Sequence, residues 1–410
     1  MNFKYIKKKE LFYLFIILIL IAANIFFVRQ MQSEFRLKLN SFEKYTTSMN
    51  KQLKINTFEI KKNNLSKGII NNKVLISYID GPKLKNNSKS PYGYLEIVND
   101  KIIFISGAGS LYILENNLFK EIDTNLKDLI NIDFNKKDYD NQFHANKIRD
   151  ILYVNENIYI VANYEEGNTK KIQPTILKAK FSIEKMNFDF FFKSNEIADE
   201  SFVDYTHTGG RLVYNEIEDE FYFAIPDYGS PIENNVSVND GIYGKIIKLE
   251  NNGNYEVISW GHRNPQGLLF DKEKKILIES EHGPSGGDEI NLIKQNKNYG
   301  WPTTSFGDGG TVEYHDHKSQ GFEAPIFTWG DNPGVSEVIK IPSESKLYFK
   351  NKYILSSLSG SNRGPEEYSG LHLYIFDIID GKYEFSERIF VNDRVRDLKY
   401  NSNNDTLYLV

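Results

Sequence analysis

The sequence predicts an all-β domain, a six-bladed β-propeller over residues 56–410, preceded by an N-terminal transmembrane helix and a short stalk. Aromatic residues make up 14% of the chain, which favours strands over helices. After residue 56, short β-rich runs alternate with turns of Asn, Gly, Asp and Lys. These runs group into two-strand units whose starts lie about 55 to 70 residues apart, near the longer propeller periods. The six units are residues 94–106, 148–162, 211–225, 266–280, 335–356 and 395–410.

The last unit ends after two predicted strands, which would leave a four-stranded blade half built with an exposed edge. Two earlier runs, residues 57–61 and 73–79, belong to no unit of their own. We therefore predict that they complete the last blade and close the ring. A large sandwich or barrel is the alternative fold, and a fragmentary sequence is the alternative explanation of the short last unit.

The N-terminus predicts a membrane anchor. Lys4, Lys7, Lys8 and Lys9 precede residues 11–28, an uncharged run just long enough to span a bilayer as a helix. A cleaved signal peptide, the main alternative, usually has a shorter apolar core. The basic flank should stay in the cytoplasm, so the chain after residue 28 is expected on the periplasmic or extracytoplasmic side of the cell membrane. Residues 29–55 are polar and are interpreted as a stalk or spacer.

Composition excludes several classes of function. The formal net charge of −5 provides no basic field for nucleic acid. The absence of cysteine excludes disulfides, thiolate metal sites and a cysteine nucleophile.

The densest group of polar loop residues lies between residues 260 and 302. It contains Gly-His-Arg-Asn-Pro-Gln-Gly at 261–267, Glu-His-Gly-Pro-Ser-Gly-Gly-Asp-Glu at 281–289 and Asn-Tyr-Gly-Trp-Pro at 298–302. Loops on a rigid scaffold are where binding and catalytic sites are built. A functional site is therefore predicted here.

These three segments, in this order, resemble the soluble glucose/sorbosone dehydrogenase family over residues 205–410. The resemblance implies a six-bladed propeller that uses pyrroloquinoline quinone (PQQ) and calcium to oxidise aldoses. A sugar would lose a hydroxyl proton to a histidine base and a hydride from its anomeric carbon to the quinone, giving a lactone.

His207 opens the segment His-Thr-Gly-Gly-Arg-Leu-Val and matches the family's general base. Imidazole suits this role because it titrates near neutral pH. Asp227 resembles the carboxylate that orients this base, although a plain turn residue is an open alternative for each.

Arg263 and Asn264 match the family's quinone-contacting pair, in which a guanidinium stabilises charge developing on the quinone. Gln266 and His262 are interpreted as parts of the loop framework. Gly283 and Pro284 match the residues whose backbone carbonyls hold the catalytic calcium, since calcium prefers hard oxygen ligands.

Glu289 and Tyr299 match positions of a second, structural calcium site. A simple Gly- and Asp-rich turn is the alternative for this loop.

Arg394 and Arg396 match two arginines that bind the carboxylates of PQQ, and bidentate arginine pairing suits carboxylates. They stand at the start of the sixth unit, and residues two apart in a strand share a face, so both guanidinium groups are expected to point into the channel. A blade-framing Arg-Asp pair is the alternative for Arg396. One departure stands out, because Ser359 occupies the position of the family's cofactor-contacting lysine. The nearby Arg363 could supply the missing charge.

The sequence thus predicts a membrane-tethered oxidoreductase with a small sugar substrate and an unidentified electron acceptor. The alternative is a non-catalytic, calcium-braced propeller that binds a ligand or a protein partner, because fold alone does not imply function.

Overall fold

Two units, residues 1–79 and 80–410, make up the chain in the computed structural model. The structure describes residues 67–70, 74–77, 81–82, 92–130, 147–165, 171–194, 198–199, 207–229, 236, 239–284, 286–306, 317, 319–330, 332–358, 371–391 and 393–410.

In the first unit, β1 (Lys67–Ile70) and β2 (Val74–Ser77) form an antiparallel hairpin. Within the described residues, no helix is both long and apolar enough to cross a membrane. The predicted anchor at residues 1–28 and the stalk at residues 29–55 lie outside the described residues.

The second unit is a β-propeller with five complete blades, each a sheet built around four antiparallel strands. Blade 1 contains β3 (Gly93–Val98), β4 (Lys101–Ser106), β5 (Leu111–Glu115) and β6 (Leu118–Thr124), followed by one helical turn, α1 (Leu126–Leu129). Blade 2 contains β7 (Ile148–Val154), β8 (Asn157–Glu165), β9 (Lys171–Lys180) and β11 (Asp189–Lys193), with β12 (Ala198–Asp199) beside β9. The short β10 (Lys185–Met186) pairs with β6 of blade 1.

Blade 3 contains β13 (Arg211–Asn215), β14 (Glu220–Ile225), β15 (Lys245–Leu249) and β16 (Tyr255–Trp260). Blade 4 contains β17 (Pro265–Asp271), β18 (Ile276–Glu281), β19 (Glu289–Ile293) and β21 (Phe327–Thr328). Blade 5 contains β22 (Val335–Lys340), β23 (Tyr353–Ser357), β24 (His372–Ile379) and β25 (Lys382–Phe390). The short β20 (Lys297–Asn298) follows β19 of blade 4 and pairs in parallel with β16 of blade 3. This pairing joins the two blades.

The sixth position of the ring holds only two described strands, β26 (Leu398–Asn401) and β27 (Thr406–Leu409). β26 contacts β22 on one side and β3 on the other, so the innermost strands close around the centre. The predicted six-bladed count is therefore wrong for complete blades, because the last unit supplies two strands and no other described strand pairs with them. Of the two runs expected to complete this blade, residues 57–61 lie outside the described residues and β2 pairs with β1.

Apolar side chains pack between neighbouring blades. Ile103 and Ile158 are fully buried between blades 1 and 2, and Phe221 is fully buried between blades 2 and 3. Tyr353 and Phe376 are fully buried between blades 4 and 5. These sheets are therefore covered on both faces by neighbouring blades, which explains why β-branched and aromatic residues dominate their strands.

A buried ion-pair network joins four positions of the ring near its centre. The Arg211 Nη1 atom lies 3.1 Å from Asp150 Oδ1, 2.9 Å from Glu337 Oε2 and 3.2 Å from Asp397 Oδ1. Asp397 also accepts the Leu95 backbone N–H of blade 1, at 2.7 Å. Burial raises the pKa of Glu337 well above its usual range, with Arg211 acting in the opposite direction. The network fixes these inner segments against one another.

Candidate active site

The predicted site residues meet in the loops between blades 3 and 4. The loops before β13, after β14, between β16 and β17, after β18 and after β20 all end in this region. Three of them, between β16 and β17, after β18 and after β20, line a pocket of about 250 Å³, part of which is open to solvent. Its lining includes Arg263, His282, Gly283, Pro284 and Trp301.

His207 is held from both sides of its ring. Its Nδ1 atom lies 3.1 Å from Asp227 Oδ1, and its Nε2 atom lies 2.5 Å from Nη2 of Arg263. Arginine only donates hydrogen bonds, so Nε2 must be the acceptor and Nδ1–H must donate to Asp227. This arrangement leaves the imidazole neutral, with its basic nitrogen on the side of Arg263.

Asp227 is fully buried and is the centre of a small network. Its Oδ1 atom accepts a second hydrogen bond from the Gly229 backbone N–H at 2.8 Å. Its Oδ2 atom accepts one from the indole Nε1–H of Trp301, also at 2.8 Å. The carboxylate is therefore fixed in the orientation that presents one oxygen to His207.

Arg263 links the base to the glycine-rich loop after β18. Its Nη1 atom donates to the carbonyl oxygens of His282 and Gly283, each at 2.9 Å. Its guanidinium carbon lies 5.3 Å from the centre of the Trp301 ring. Two consecutive carbonyls therefore converge on one cationic group.

Asn264 and Gln266 form a hydrogen-bonded chain beside this cluster. Asn264 Oδ1 accepts the Gly209 N–H at 3.1 Å and the Gln266 amide at 2.8 Å. Gln266 Oε1 in turn accepts Nη1 of Arg396 at 2.9 Å. A Cβ at Gly209 would lie 2.0 Å from the Pro265 carbonyl oxygen, so the turn beside His207 requires glycine. This series of hydrogen bonds connects Asn264 to Arg396, two residues that the sequence predicts to bind the cofactor.

Arg394 and Arg396 differ in their surroundings. The two residues precede β26 and do not lie in a strand, so the strand-face argument from their spacing is wrong. Arg394 is exposed. Arg396 has a buried Nε atom without a hydrogen-bond partner and, among the described residues, no ion pair. A buried hydrogen-bond donor without an acceptor is costly. A ligand carboxylate that accepted a hydrogen bond from the Arg396 Nε–H would remove this cost.

The loop after β18 is pinned by Asp288. Its Oδ1 atom accepts the Gly283 N–H at 3.1 Å, and its Oδ2 atom accepts the Gly334 N–H at 2.8 Å. Burial raises the pKa of Asp288 to about 7, against the effect of these hydrogen bonds. A Cβ at Gly283 would lie 2.2 Å from the Gly286 carbonyl oxygen, so the close turn explains the glycine.

Behind this loop lies a buried cluster of three carboxylates. The strand register pairs Glu279 with Asn291 and Glu281 with Glu289. Residues two apart in a strand share a face, so all four side chains lie on one side of the β18–β19 hairpin. The Asn291 amide donates to Glu279 at 3.0 Å, Glu281 at 3.1 Å and Glu289 at 3.3 Å.

This carboxylate cluster has more acceptors than donors. Oε1 of Glu279 and Oδ1 of Asn291 are buried and have no hydrogen-bond partner. Burial, together with the neighbouring Glu281, raises the pKa of Glu279 and that of Glu289 well above their usual range. Oxygen-rich, donor-poor clusters of this kind are typical of cation sites. His262, Glu279 and Glu281 each place one ligand-type atom within 4.8 Å of the others.

Tyr299 and His262 support this region by packing. The two rings are stacked with centres 4.7 Å apart, and His262 is fully buried. The Tyr299 hydroxyl donates to the Leu292 carbonyl and accepts the Lys294 N–H at 3.0 Å. The interpretation of His262 as framework agrees with this geometry. Tyr299 lines the same pocket as Glu289, but its hydroxyl is engaged with backbone groups.

Some residues were missed by sequence reasoning, and others cannot be placed. Trp301 stood in a motif, but nothing in the sequence indicated that its N–H faces Asp227. Glu279 and Asn291 could have been found from the alternation of polar residues along β18 and β19. Ser359, residues 360–369 and Arg363 lie outside the described residues.

The fold and the site define a β-propeller with a histidine–carboxylate–guanidinium cluster beside a glycine-rich loop. Residues 152–410 match the Glucose / Sorbosone dehydrogenase family, and the chain belongs to that family.

Similar proteins agree with this assignment. The chain is 30% identical to the aldose sugar dehydrogenase YliI of Escherichia coli (strain K12) over 174 residues, 37% of this chain and 45% of that protein. The chain thus spans less than half the length of this relative. The apo form of the soluble aldose sugar dehydrogenase from Escherichia coli superposes with a TM-score of 0.61 at 20% identity, covering 78% of this chain and 92% of the other. The PQQ-bound aldose sugar dehydrogenase from Streptomyces coelicolor gives 0.54 at 18% identity, covering 75% and 84%. The two structures support the propeller fold.

Proposed function

We propose that the protein oxidises an aldose sugar at its anomeric carbon to a lactone, with PQQ and Ca²⁺ as cofactors. Family membership supports sugar oxidation, and one structural neighbour is described as PQQ-bound. The observation that carries the proposal is the arrangement of His207 between Asp227 and Arg263 at a pocket.

His207 acts as the general base. Its Nε2 atom accepts the proton of the sugar hydroxyl, and the buried Asp227 stabilises the imidazolium that forms. Arg263 occupies the side of the ring on which the hydroxyl must arrive, so it has to give up its contact with Nε2 when the sugar binds. Arg263 has donors on both of its terminal nitrogen atoms. Its Nη1 atom can stay on the carbonyl oxygens of His282 and Gly283 while its Nη2 atom releases His207.

Of the proposed cofactor residues, Arg263 lines the pocket, and Asn264 is connected to Arg396 through Gln266. When bound, PQQ would supply the acceptor for the hydride that the sugar loses, and calcium would supply Lewis-acid polarisation. Arg263 and Asn264 would contact the quinone, while Arg396 and the exposed Arg394 would pair with its carboxylates. The buried Nε of Arg396 is the observation that fits this assignment.

The residues also fit calcium. Gly283 and Pro284 would supply carbonyl oxygens to the catalytic ion, and the Gly283 carbonyl already faces a cationic group. Glu289 would hold a second, structural ion together with the oxygen-rich cluster around Asn291, and Tyr299 would line that site. Both donor sets consist of the hard oxygens that calcium prefers.

The test uses the full chain, purified with calcium, titrated with PQQ and assayed for dye reduction with a panel of aldoses. We expect PQQ to bind at micromolar concentration and at least one aldose to be oxidised to its lactone. The control variant is Glu184→Gln, an exposed position remote from the site, which should behave as the wild type. Failure to bind PQQ would favour the alternative, a calcium-braced propeller that binds another ligand or a protein.

We also propose that residues 1–28 anchor the protein in the cell membrane with the propeller on the periplasmic or extracytoplasmic side. The support is the basic flank followed by an uncharged run of membrane-spanning length. A reporter fused after Val410 should be active outside the cytoplasm, and activity inside it would refute this orientation.

A further inference from the structure

We propose that Trp301 is a positioning residue that sets the geometry of both the base and the cofactor-contacting arginine. Its N–H fixes Asp227, which fixes His207, and its ring supports Arg263. The inference rests on the proposed function, but its second test below does not require the cofactor. Neither the motif match nor the family assignment gives Trp301 a role.

The first contact is the hydrogen bond from the indole N–H to Asp227. It is 2.8 Å long and uses Oδ2, whereas His207 and Gly229 use Oδ1. Without the indole N–H, Oδ2 would lose this donor and the carboxylate could rotate about its bond. Because Asp227 is fully buried, a hydrogen bond to its charge is stronger than one at the surface.

The second contact is between the indole ring and the guanidinium of Arg263, 5.3 Å from the ring centre. A cation over the face of a tryptophan is attracted by the ring. Arg263 in turn contacts Nε2 of His207 at 2.5 Å. Trp301 and His207 therefore each contact both Asp227 and Arg263, so the four side chains form a closed circuit.

The backbone holds Trp301 in place. The backbone N–H of Trp301 donates to the Gly261 carbonyl oxygen at 3.0 Å. The preceding Gly300 has a φ of +98°, and a Cβ there would lie 2.4 Å from Thr304 Oγ1. Gly261 has a φ of +77°, and a Cβ there would lie 2.7 Å from the Gly300 N atom. The loop is therefore shaped by two glycines that direct the indole toward the pocket.

The position of Trp301 differs from that of a core residue. The side chain is half-buried and lines the pocket, and its one polar atom is directed at the carboxylate of the base. Trp329, by contrast, packs against Phe327 and Tyr374 in the apolar cluster between blades 4 and 5. Trp329→Phe is therefore the matched control for the loss of an indole.

The first test separates the two contacts by kinetics and PQQ titration. Trp301→Phe keeps a ring and loses the N–H, so kcat should fall about tenfold, as for residues that orient a functional imidazole, while KM and PQQ affinity stay near wild type. Trp301→Ala loses both contacts, so PQQ affinity should also fall by about fivefold, the size of one cation–π contact. The proposal would be overturned if Trp301→Phe had the same kcat as Trp329→Phe. It would also be overturned if Trp301→Phe lost PQQ affinity and folding stability together.

The second test measures the imidazole nitrogens directly in the cofactor-free full chain. With ¹⁵N-labelled histidine, the His207 signals, assigned by their loss in His207→Gln, should show the Nδ1–H tautomer in the wild type. Trp301→Ala, which removes both the hydrogen bond to Asp227 and the ring beside Arg263, should shift this ratio toward Nε2–H, whereas Trp329→Ala should leave it unchanged. An unchanged ratio in Trp301→Ala overturns the positioning role whether or not PQQ binds. Failure of PQQ binding alone, with the tautomer shift present, would count against the proposed function and in favour of this inference.

Discussion

At the level of single residues, three buried carboxylates gathered around one amide are costly to fold. Glu279, Glu281 and Glu289 share the Asn291 amide, which has two hydrogens for three acceptors. Burial and the neighbouring Glu281 raise the pKa of Glu279 and that of Glu289, so the ionised forms of these two groups are disfavoured. A bound divalent cation would remove both penalties, which explains why such a cluster persists in a folded protein.

We therefore predict that Glu279→Gln separates calcium binding from folding. In chelator at pH 8, the variant should melt at a higher temperature than the wild type, because it no longer buries an ionisable group. The calcium-dependent rise in melting temperature should become smaller, since the variant loses one of the two proposed ion sites and a ligand stabilises the native state only where its site is intact. Thermal melts with and without calcium check this, with Glu184→Gln as control. An undiminished calcium response in Glu279→Gln would contradict the assignment of the site.

At this scale, sequence reasoning found His207, Asp227 and Arg263, which the structure brings together. Their motifs could be recognised because each combines a rare residue type with glycine or proline. Glu279 and Asn291 were missed because their role depends on strand register, and Trp301 was missed because its role depends on the direction of one N–H bond. Alternation along β18 and β19 marks the polar face of each strand, but the register that pairs the two faces and the direction of the indole N–H are not encoded in local sequence.

Loops that carry the site are held by glycines whose conformation other residues rarely adopt. Gly300 has a φ of +98° and precedes Trp301 directly. Gly330 has open space around its Cβ position and serves as a matched control. Gly300→Ala should destabilise the fold by about 1–3 kcal/mol, the cost of a strained backbone position. Urea denaturation measures this, and equal stability of the two variants would contradict the argument.

Strand positions were predicted well because each propeller unit repeats the same apolar pattern. The inner strand pairs of the structure coincide with the six sequence units, from β3–β4 to β26–β27. The number of complete blades was not predicted, because no local sequence pattern specifies which distant strands pair with one another.

Completion of the last blade by residues 57–79 stays a prediction. Deleting these residues should lower the melting temperature of the propeller, since the two-stranded sheet of β26 and β27 would keep an unpaired edge. Thermal melts of the deletion variant and the full chain compare the two. An unchanged melting temperature would show that this segment does not close the ring.

The Arg211 network couples the whole ring to pH. It joins inner segments from β7, β13 and β22 to Asp397 just before β26. Because burial raises the pKa of Glu337, the native state holds a proton that the unfolded state releases as pH rises above the usual glutamate range. Stability should therefore fall as pH rises through that window.

Glu337→Gln should flatten this dependence. Between pH 5 and pH 8, the wild type should lose more unfolding free energy than the variant, by at most about 1.4 kcal/mol per pH unit for one proton. Asp150 and Asp397 remain to pair with Arg211 in the variant. Urea denaturation across this range, with Glu184→Gln as control, measures the slopes. Equal slopes in Glu337→Gln and the wild type would mean that this carboxyl does not titrate differently on folding.

The measurement that tests the central claim most directly is the anaerobic reduction of bound PQQ by an aldose, followed by the absorbance of the quinone. The wild type, loaded with PQQ and calcium, should reduce the quinone rapidly and stoichiometrically. His207→Gln should bind the same amount of PQQ and reduce it at least 100-fold more slowly, since a general base contributes about 10²- to 10⁴-fold. Equal reduction rates in the two proteins would contradict the account of His207 as the base.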